Sequence, residues 1–174
     1  MKKLLKIIIN YSQKGTTIVE LLLYMGILTI LLATLTSIFT SALDVQSESQ
    51  ATSGVEEDGN YILARLNYDI HRATGISIPT GNGLSANNFQ IIVSGINYTY
   101  SIDANNNLVL ANDLGTNNLN SYGSSVSALL VQRFGNVGGI ENTLQINFTV
   151  TSRTKRVSGF ETKDFKTNLS LRRQ

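Results

Sequence analysis

The chain has 174 residues, a formal net charge of +2 and 42% hydrophobic residues, enough for one domain with an appendage. It contains no cysteine, which excludes disulfides, thiol catalysis and cysteine-based metal sites. A net charge this small gives no argument for nucleic-acid binding.

A membrane-length apolar run lies near the N-terminus. It extends from Ile18 to Phe39, and Glu20 is its only Asp, Glu, Lys, Arg or His. As a helix it would span about 33 Å, enough for the hydrocarbon core of a bilayer. Four lysines precede it: Lys2, Lys3, Lys6 and Lys14. No Lys or Arg follows until Arg65, so the positive-inside rule predicts a cytoplasmic N-terminus.

Three interpretations of this run compete. A cleaved secretory signal peptide would need a shorter apolar core and a cleavage site of small residues. The stretch "FTSALD" is a poor to fair match to such a site. An uncleaved signal anchor accounts for the length but leaves Glu20 unexplained. A prepilin-type signal accounts for length, charge and Glu20 together.

The stretch "KGTTIVELLLYMGIL" carries the third interpretation. It resembles the signature of type IV pilins, type II secretion pseudopilins and competence pilins. The resemblance implies a leader of residues 1–15, cleavage between Gly15 and Thr16 by a prepilin peptidase, and N-methylation of Thr16. Thr16 stands where the family usually has Phe. Glu20 becomes the fifth mature residue, and the family implies that it pairs with the terminal amine of a neighbouring subunit.

The charge of Glu20 is unfavourable in lipid. A carboxylate well inside the hydrocarbon costs about 2.5–3.5 kcal/mol on insertion scales, so such a residue is a functional candidate once a partner is named. Cleavage would create an α-amine on Thr16 that is mostly protonated at neutral pH. The alternative is a carboxylate that reaches the membrane interface without a partner.

Small side chains recur along one face of the run. Gly26, Thr29, Ala33 and Ser37 lie near this face, which predicts close packing against another membrane helix. The alternative is that Thr and Ser are simply tolerated near a helix end.

An amphipathic pattern continues beyond the apolar run. Its apolar positions are Val55, Ile62, Leu66, Ile70 and Ala73. This spacing predicts one helix from about Thr17 to Ala73, with a transmembrane half (16–40) and an amphipathic half (41–74). We expect Asp69 to form ion pairs on the exposed side, and Gly54 and Gly59 to weaken the middle of the helix.

The remaining residues, 75–174, have the period-two pattern of β-strands. Strands are predicted in "NFQIIVSG", "INYTYSID", "NLVLA", "SALLVQRFG", "TLQINFTVTS" and "TNLSLRR". The stretch "YTYSIDANNNLVLAN" predicts a hairpin. The expected fold class is α+β, a long helix packed on a C-terminal antiparallel β-sheet domain, as in pilins.

Two further segments resemble J-type minor pseudopilins and related minor pilins. They are "RLNYDIHRA" at the end of the helix and the terminal "FKTNLSLRRQ". Many major pilins carry a helix-kinking proline, whereas the only proline here is Pro79. The resemblance therefore implies a minor subunit at or near a fibre tip.

Other candidate sites have simpler interpretations. His71 is expected on the surface. Asp103, Asn105 and Asn107 match half of a calcium loop, but the glycine and closing acid are missing, which favours a hairpin turn. The cluster "RTKR" (153–156) is interpreted as a solvated hairpin tip, with DNA contact as the alternative.

The sequence therefore predicts a structural protein rather than an enzyme, with no cofactor and no metal. Its expected partners are a prepilin peptidase, other pilin or pseudopilin subunits and the membrane, with DNA only in a competence pilus. It is expected to cross the inner membrane once and then to enter an extracytoplasmic pilus or pseudopilus. The alternatives are a surface adhesion or DNA-uptake module, and an uncleaved membrane-anchored domain.

Overall fold

The computed structural model describes residues 16–135 and 142–171. Within them the chain forms one helix followed by nine strands, which confirms the predicted α+β class. The predicted leader 1–15, including Gly15, lies outside the described residues.

Helix α1 comprises Ile18–Arg72, close to the predicted limits. The strands are β1 Ala73–Ile78, β2 Ser85–Ala86, β3 Phe89–Val93, β4 Ile96–Ile102, β5 Leu108–Asn112, β6 Gly115–Asn118, β7 Ser124–Gly135, β8 Asn142–Arg156 and β9 Gly159–Ser170. They form two antiparallel sheets with the orders β1-β3-β4-β5-β6 and β2-β7-β8-β9.

The sequence predicted a single sheet and did not predict β1, β2 or β6. The predicted helix extends to Ala73, yet β1 begins at this residue, directly after α1, and pairs with β3. Strand β6, "GTNN", is polar and fully exposed, and β2 has two residues, so neither shows an alternating pattern.

The chain divides into two compact units between Leu43 and Asp44. The described part of the first unit is the beginning of α1 with the two residues before it. Its large apolar side chains are exposed, from Ile18 through Leu43. The second unit holds the rest of α1 and both sheets, and it contains the hydrophobic core.

The predicted stripe on α1 is buried in this core. On α1 its members are Val55, Ile62, Leu66 and Ile70, and its last member, Ala73, is the first residue of β1. They join buried residues of both sheets, among them Phe89, Tyr100, Leu144 and Phe148. Burial of one such side chain stabilises the fold by about 1.5–3 kcal/mol, so the stripe fixes which face of α1 contacts the sheets.

Gly59 has a packing role that the sequence did not predict. Helix α1 continues through both Gly54 and Gly59, and Gly59 is buried beneath Phe165. A Cβ atom added at Gly59 would overlap the Phe165 ring. The glycine therefore permits a close approach of α1 to β9, which accounts for its place in a helix.

The turns agree with their residue types. Ser94 and Gly95 both have positive φ, 52° and 83°, as the two central residues of a tight hairpin between β3 and β4 require. The predicted hairpin is confirmed, since β4 pairs with β5 around a turn in which Asn106 has a φ of 59°. Asparagine tolerates that conformation better than most residues.

Candidate functional site

The first part of α1 is the most unusual surface of the described chain. Among the described residues it is the one helix long and apolar enough to cross a membrane. None of its most apolar 18-residue window is buried within the protein. Exposed apolar side chains at this density are unfavourable in water and favourable in lipid. This helix is therefore a candidate membrane span, consistent with single-pass anchoring.

Four threonine hydroxyls in or next to this span form local hydrogen bonds. Thr29 and Thr36 donate to carbonyls four residues earlier, at 2.7 and 2.8 Å. Thr34 and Thr40 donate to carbonyls three residues earlier, at 2.8 and 3.0 Å. Because lipid offers no hydrogen bonds, this pairing inside the helix lets threonine lie in the hydrocarbon at low cost.

The start of α1 is capped by Thr17. The backbone N–H of Glu20 donates to Thr17 Oγ1 at 3.2 Å. Thr17 directly precedes the first helical residue, so Thr17 and Glu20 occupy the N-cap and N3 positions and form one of the two hydrogen bonds of a capping box. The sequence pattern T-x-x-E carries this signal, which the sequence prediction overlooked.

The carboxylate of Glu20 has a partner in its own helix. Tyr24 donates its hydroxyl to Glu20 Oε1 at 2.8 Å. Oε2 of Glu20 makes no hydrogen bond within residues 16–135 and 142–171, and the side chain is half-buried. Sequence reasoning treated Glu20 as unpartnered in its own chain, although the i, i+4 spacing to Tyr24 was visible.

Thr16 and the small-residue face are open. Thr16 is exposed and precedes the helix. Gly26, Thr29, Ala33 and Ser37 are exposed, and a Cβ added at Gly26 would meet no atom within 4 Å. The roles predicted for these residues remain predictions.

Comparisons with protein-family models, curated proteins and solved structures returned no match for this chain.

Asp69 is not on the exposed side of α1 as expected. It is fully buried, and its Oδ2 accepts hydrogen bonds from Tyr100 Oη at 2.5 Å and Arg65 Nε at 2.6 Å. Arg72 instead donates to Tyr68. Burial, followed by the hydrogen bond to Asp69, raises the pKa of the Tyr100 hydroxyl. The tyrosine therefore stays protonated and acts as a donor, which makes this cluster a structural link between α1 and β4.

A second buried carboxylate links α1 to the segment before β7. Asp58 Oδ2 accepts hydrogen bonds from Ser121 N at 3.1 Å, Ser121 Oγ at 2.7 Å and Ser124 Oγ at 2.5 Å. Only 8% of Asp58 is exposed. Three donors on one oxygen compensate its burial, so this carboxylate holds the serine turn in place.

The half-calcium motif is a turn. Asp103 accepts hydrogen bonds from the N–H groups of Asn105 and Asn107, at 2.9 and 2.7 Å. The Asn107 N–H lowers the pKa of Asp103. Arg153 donates to Asn105 O and Asn107 Oδ1, which places a cation beside the motif. Groups of three acidic, His or Cys side chains suited to a metal do not occur in the described parts of the chain.

His71 is exposed, as expected. The prediction of a hairpin near "RTKR" is confirmed, since Arg156 pairs with Gly159 across the β8–β9 turn. The first three residues of this cluster are exposed, as expected, whereas Arg156 is only partly exposed. Only 13% of the Arg156 side chain is exposed, and it forms ion pairs with Glu161 at 2.6 Å and Glu48 at 3.2 Å.

Proposed function

We propose that this protein is a structural subunit of a type IV pilus or a type II secretion-type pseudopilus. The observation that carries the proposal is the position of Glu20. It is the only Asp, Glu, Lys, Arg or His in the exposed, membrane-length apolar run from Ile18 to Phe39, and it lies five residues after Gly15. The resemblance of "KGTTIVELLLYMGIL" to the prepilin signature supplies the family.

The proposed topology places the N-terminus in the cytoplasm and the β domain outside the inner membrane. The four lysines before residue 15 support this orientation. The subunit would be held by α1 until it joins a fibre, as a J-like minor subunit near the tip that starts assembly with other minor pilins.

Processing would take place beside the start of the helix. Thr16 and Thr17 separate the Gly15–Thr16 bond from Ile18, the first residue of α1. Hydrolysis of this bond by a prepilin peptidase leaves a free α-amine on Thr16, the proposed site of N-methylation. Glycine before the bond gives a protease close access to the backbone.

Glu20 would then act in two stages. In a lone subunit, Tyr24 satisfies Oε1 and the cap at Thr17 fixes the first turn. In the fibre, Oε2 would accept the protonated Thr16 amine of a neighbouring subunit. Because a carboxylate in lipid is unfavourable without compensation, this pair would set the stagger of adjacent helices.

Cleavage is tested by coexpression with a prepilin peptidase and intact-mass spectrometry. We expect a mass loss that corresponds to residues 1–15. Gly15→Leu should block the loss, whereas Gly26→Leu, the same change at an open position of the helix, should leave it intact. An unclipped wild-type chain would contradict the proposal and indicate an uncleaved membrane-anchored domain.

The role of the charge is tested by Glu20→Gln. Glutamine can still accept the Tyr24 hydrogen bond, so capping and insertion should persist while assembly is lost. Tyr24→Phe is the matched control, which keeps the charge and should assemble. The readout is the amount of subunit in sheared fibres relative to the membrane fraction. Normal assembly of the glutamine variant would show that assembly does not depend on an ion pair between Glu20 and the Thr16 amine.

A further inference from the structure

A polar cleft of 420 Å³ lies on the second unit, between the β4–β5 turn, β8 and the segment after β6. It is lined by Asn105, Asn107, Asn118, Asn120, Ser121, Tyr122 and Arg153. We infer that this cleft, here named the Tyr122 cleft, binds a saccharide. The inference stands independently of the proposed filament role.

Tyr122 supplies a flat apolar face. It is 91% exposed, which is unusual for an aromatic side chain of this size. The Arg153 guanidinium lies 5.7 Å from the centre of its ring, a distance suited to a cation–π contact. One face of a pyranose ring carries mainly C–H groups, and a fixed aromatic ring is a suitable surface for it.

The backbone on both sides of Tyr122 is fixed. Ser121 donates to the buried Asp58 through both its N–H and its hydroxyl. Gly123 O accepts a hydrogen bond from Arg153 N at 2.8 Å. Little backbone order would therefore have to be created when a ligand binds, and this lowers the entropic cost of binding.

The polar groups of the cleft divide into committed and available ones. Asn120 and Asn107 are committed, since their side chains join Leu108, Asp103 and each other. The side-chain amides of Asn105 and Asn118 make no hydrogen bond to any residue in the described ranges, and both residues are exposed.

Arg153 also keeps donors available. Its two hydrogen bonds, to Asn105 O at 2.9 Å and Asn107 Oδ1 at 3.1 Å, both use Nη2. Nη1 and Nε therefore have no acceptor among the described residues. The cleft therefore offers the free donors of Arg153 beside the amide groups of Asn105 and Asn118, which both donate and accept.

This set fits sugar hydroxyls, each of which donates and accepts. The alternative, single-stranded nucleic acid stacked on Tyr122, is less suited. Recognition of a phosphate chain calls for a basic groove, whereas this cleft has one arginine and the chain a net charge of only +2. Arg153 could also contact the carboxylate of an acidic sugar, so neutral and acidic sugars share the proposed chemistry.

The test uses the full chain in phosphatidylcholine nanodiscs, which avoids detergents with sugar headgroups. Saturation-transfer NMR is run with methyl glycosides of glucose, galactose, N-acetylglucosamine and glucuronic acid. We expect transfer to at least one glycoside. Neutral or acidic preference in this panel shows whether hydroxyls alone or Arg153 with a carboxylate dominates.

Two variants assign the binding to the cleft. Tyr122→Ala should weaken it about tenfold, the loss expected for one aromatic contact. Asn118→Ala should also weaken it. Leu114→Ala changes a residue that is likewise 91% exposed but lies outside the cleft, and it should leave binding unchanged.

Three results would overturn the inference. One is no transfer to any glycoside at about 10 mM, a very weak-binding regime. Another is unchanged binding in the Tyr122→Ala variant. The third is oligothymidylate that binds at Tyr122 and displaces the sugars, which would assign the cleft to nucleic acid.

Discussion

At the scale of single residues, Asp58 and Asp69 were the least predictable positions. Each follows a stripe residue by three, Val55 and Leu66, so helical spacing alone places both aspartates on the buried face. The charge of Asp69 instead predicts an exposed side chain, because carboxylates are rarely buried unless paired. The hydroxyl groups that compensate them come from distant strands and turns, which a single sequence does not bring together.

The hydrogen bond between Tyr100 and Asp69 should contribute measurably to stability. Tyr100→Phe leaves the buried carboxylate with Arg65 as its remaining donor, and we expect a loss of about 1–3 kcal/mol in the free energy of unfolding. Urea denaturation of the full chain in nanodiscs, followed by circular dichroism, measures it. Tyr98→Phe, on the same strand, is the control, and an equal effect of both changes would contradict the assignment.

Tyr100 should also make stability depend on alkaline pH. Burial and the bond to Asp69 raise its pKa from an ordinary value of 10.0, so the folded state keeps the proton after the unfolded state has lost it. Its contribution is therefore complete below about pH 10 and declines above it. Between about pH 9.5 and 11, the Tyr100→Phe protein should lose stability less steeply than wild type. Parallel slopes would contradict this prediction.

At the scale of elements, strong periodicity was informative and short or polar segments were not. Helix α1 and the long strands follow from their repeats, and the β4–β5 hairpin follows from its Asn-rich turn. Strand β6 is held by pairing with β5 rather than by apolar side chains, so its sequence carries little signal. The T-x-x-E pattern of Thr17 and Glu20 also predicts the start of α1, although the sequence analysis interprets Glu20 only in terms of function.

Two glycines in α1 provide a matched test of helix packing. At Gly59 an added methyl group would overlap Phe165, so Gly59→Ala should destabilise the protein by about 1–3 kcal/mol. At Gly54 no atom lies within 4 Å of the added carbon, so Gly54→Ala should stabilise it by up to about 1 kcal/mol. Thermal unfolding of both full-length variants checks the opposite signs. A stabilised Gly59→Ala protein would disprove the close contact.

At the scale of the whole molecule, the two units differ in the solvent they suit. The exposed apolar residues before Leu43 suit lipid, whereas the second unit has a buried core with polar side chains outside. Composition already indicated this division, since Glu20 is the only Asp, Glu, Lys, Arg or His between Ile18 and Leu43. The arrangement of the described strands in two sheets could not be derived from the sequence, because it depends on pairings between distant segments.

The second unit should fold without the first. Every buried apolar side chain among the described residues lies at or after Ala51. We expect a fragment of residues 44–174 to be soluble, to unfold cooperatively and to remain in the supernatant after incubation with liposomes, while the full chain sediments with them. Circular dichroism melting and liposome sedimentation measure this. An aggregated fragment without a cooperative transition would show that the core needs the apolar helix.

The two buried aspartates have a mechanical consequence. They lie about three turns apart on α1, and each is bonded to a different part of the β domain. A shift of the helix by one residue would remove the hydrogen-bond partners of both carboxylates at once. Tension along residues 44–72 would therefore act on both clusters at the same time, in shear. A force that pulls α1 away from the sheets from one end would break these bonds one after another, whereas a force along the helix axis must break them together. The domain should therefore resist force along the axis of α1.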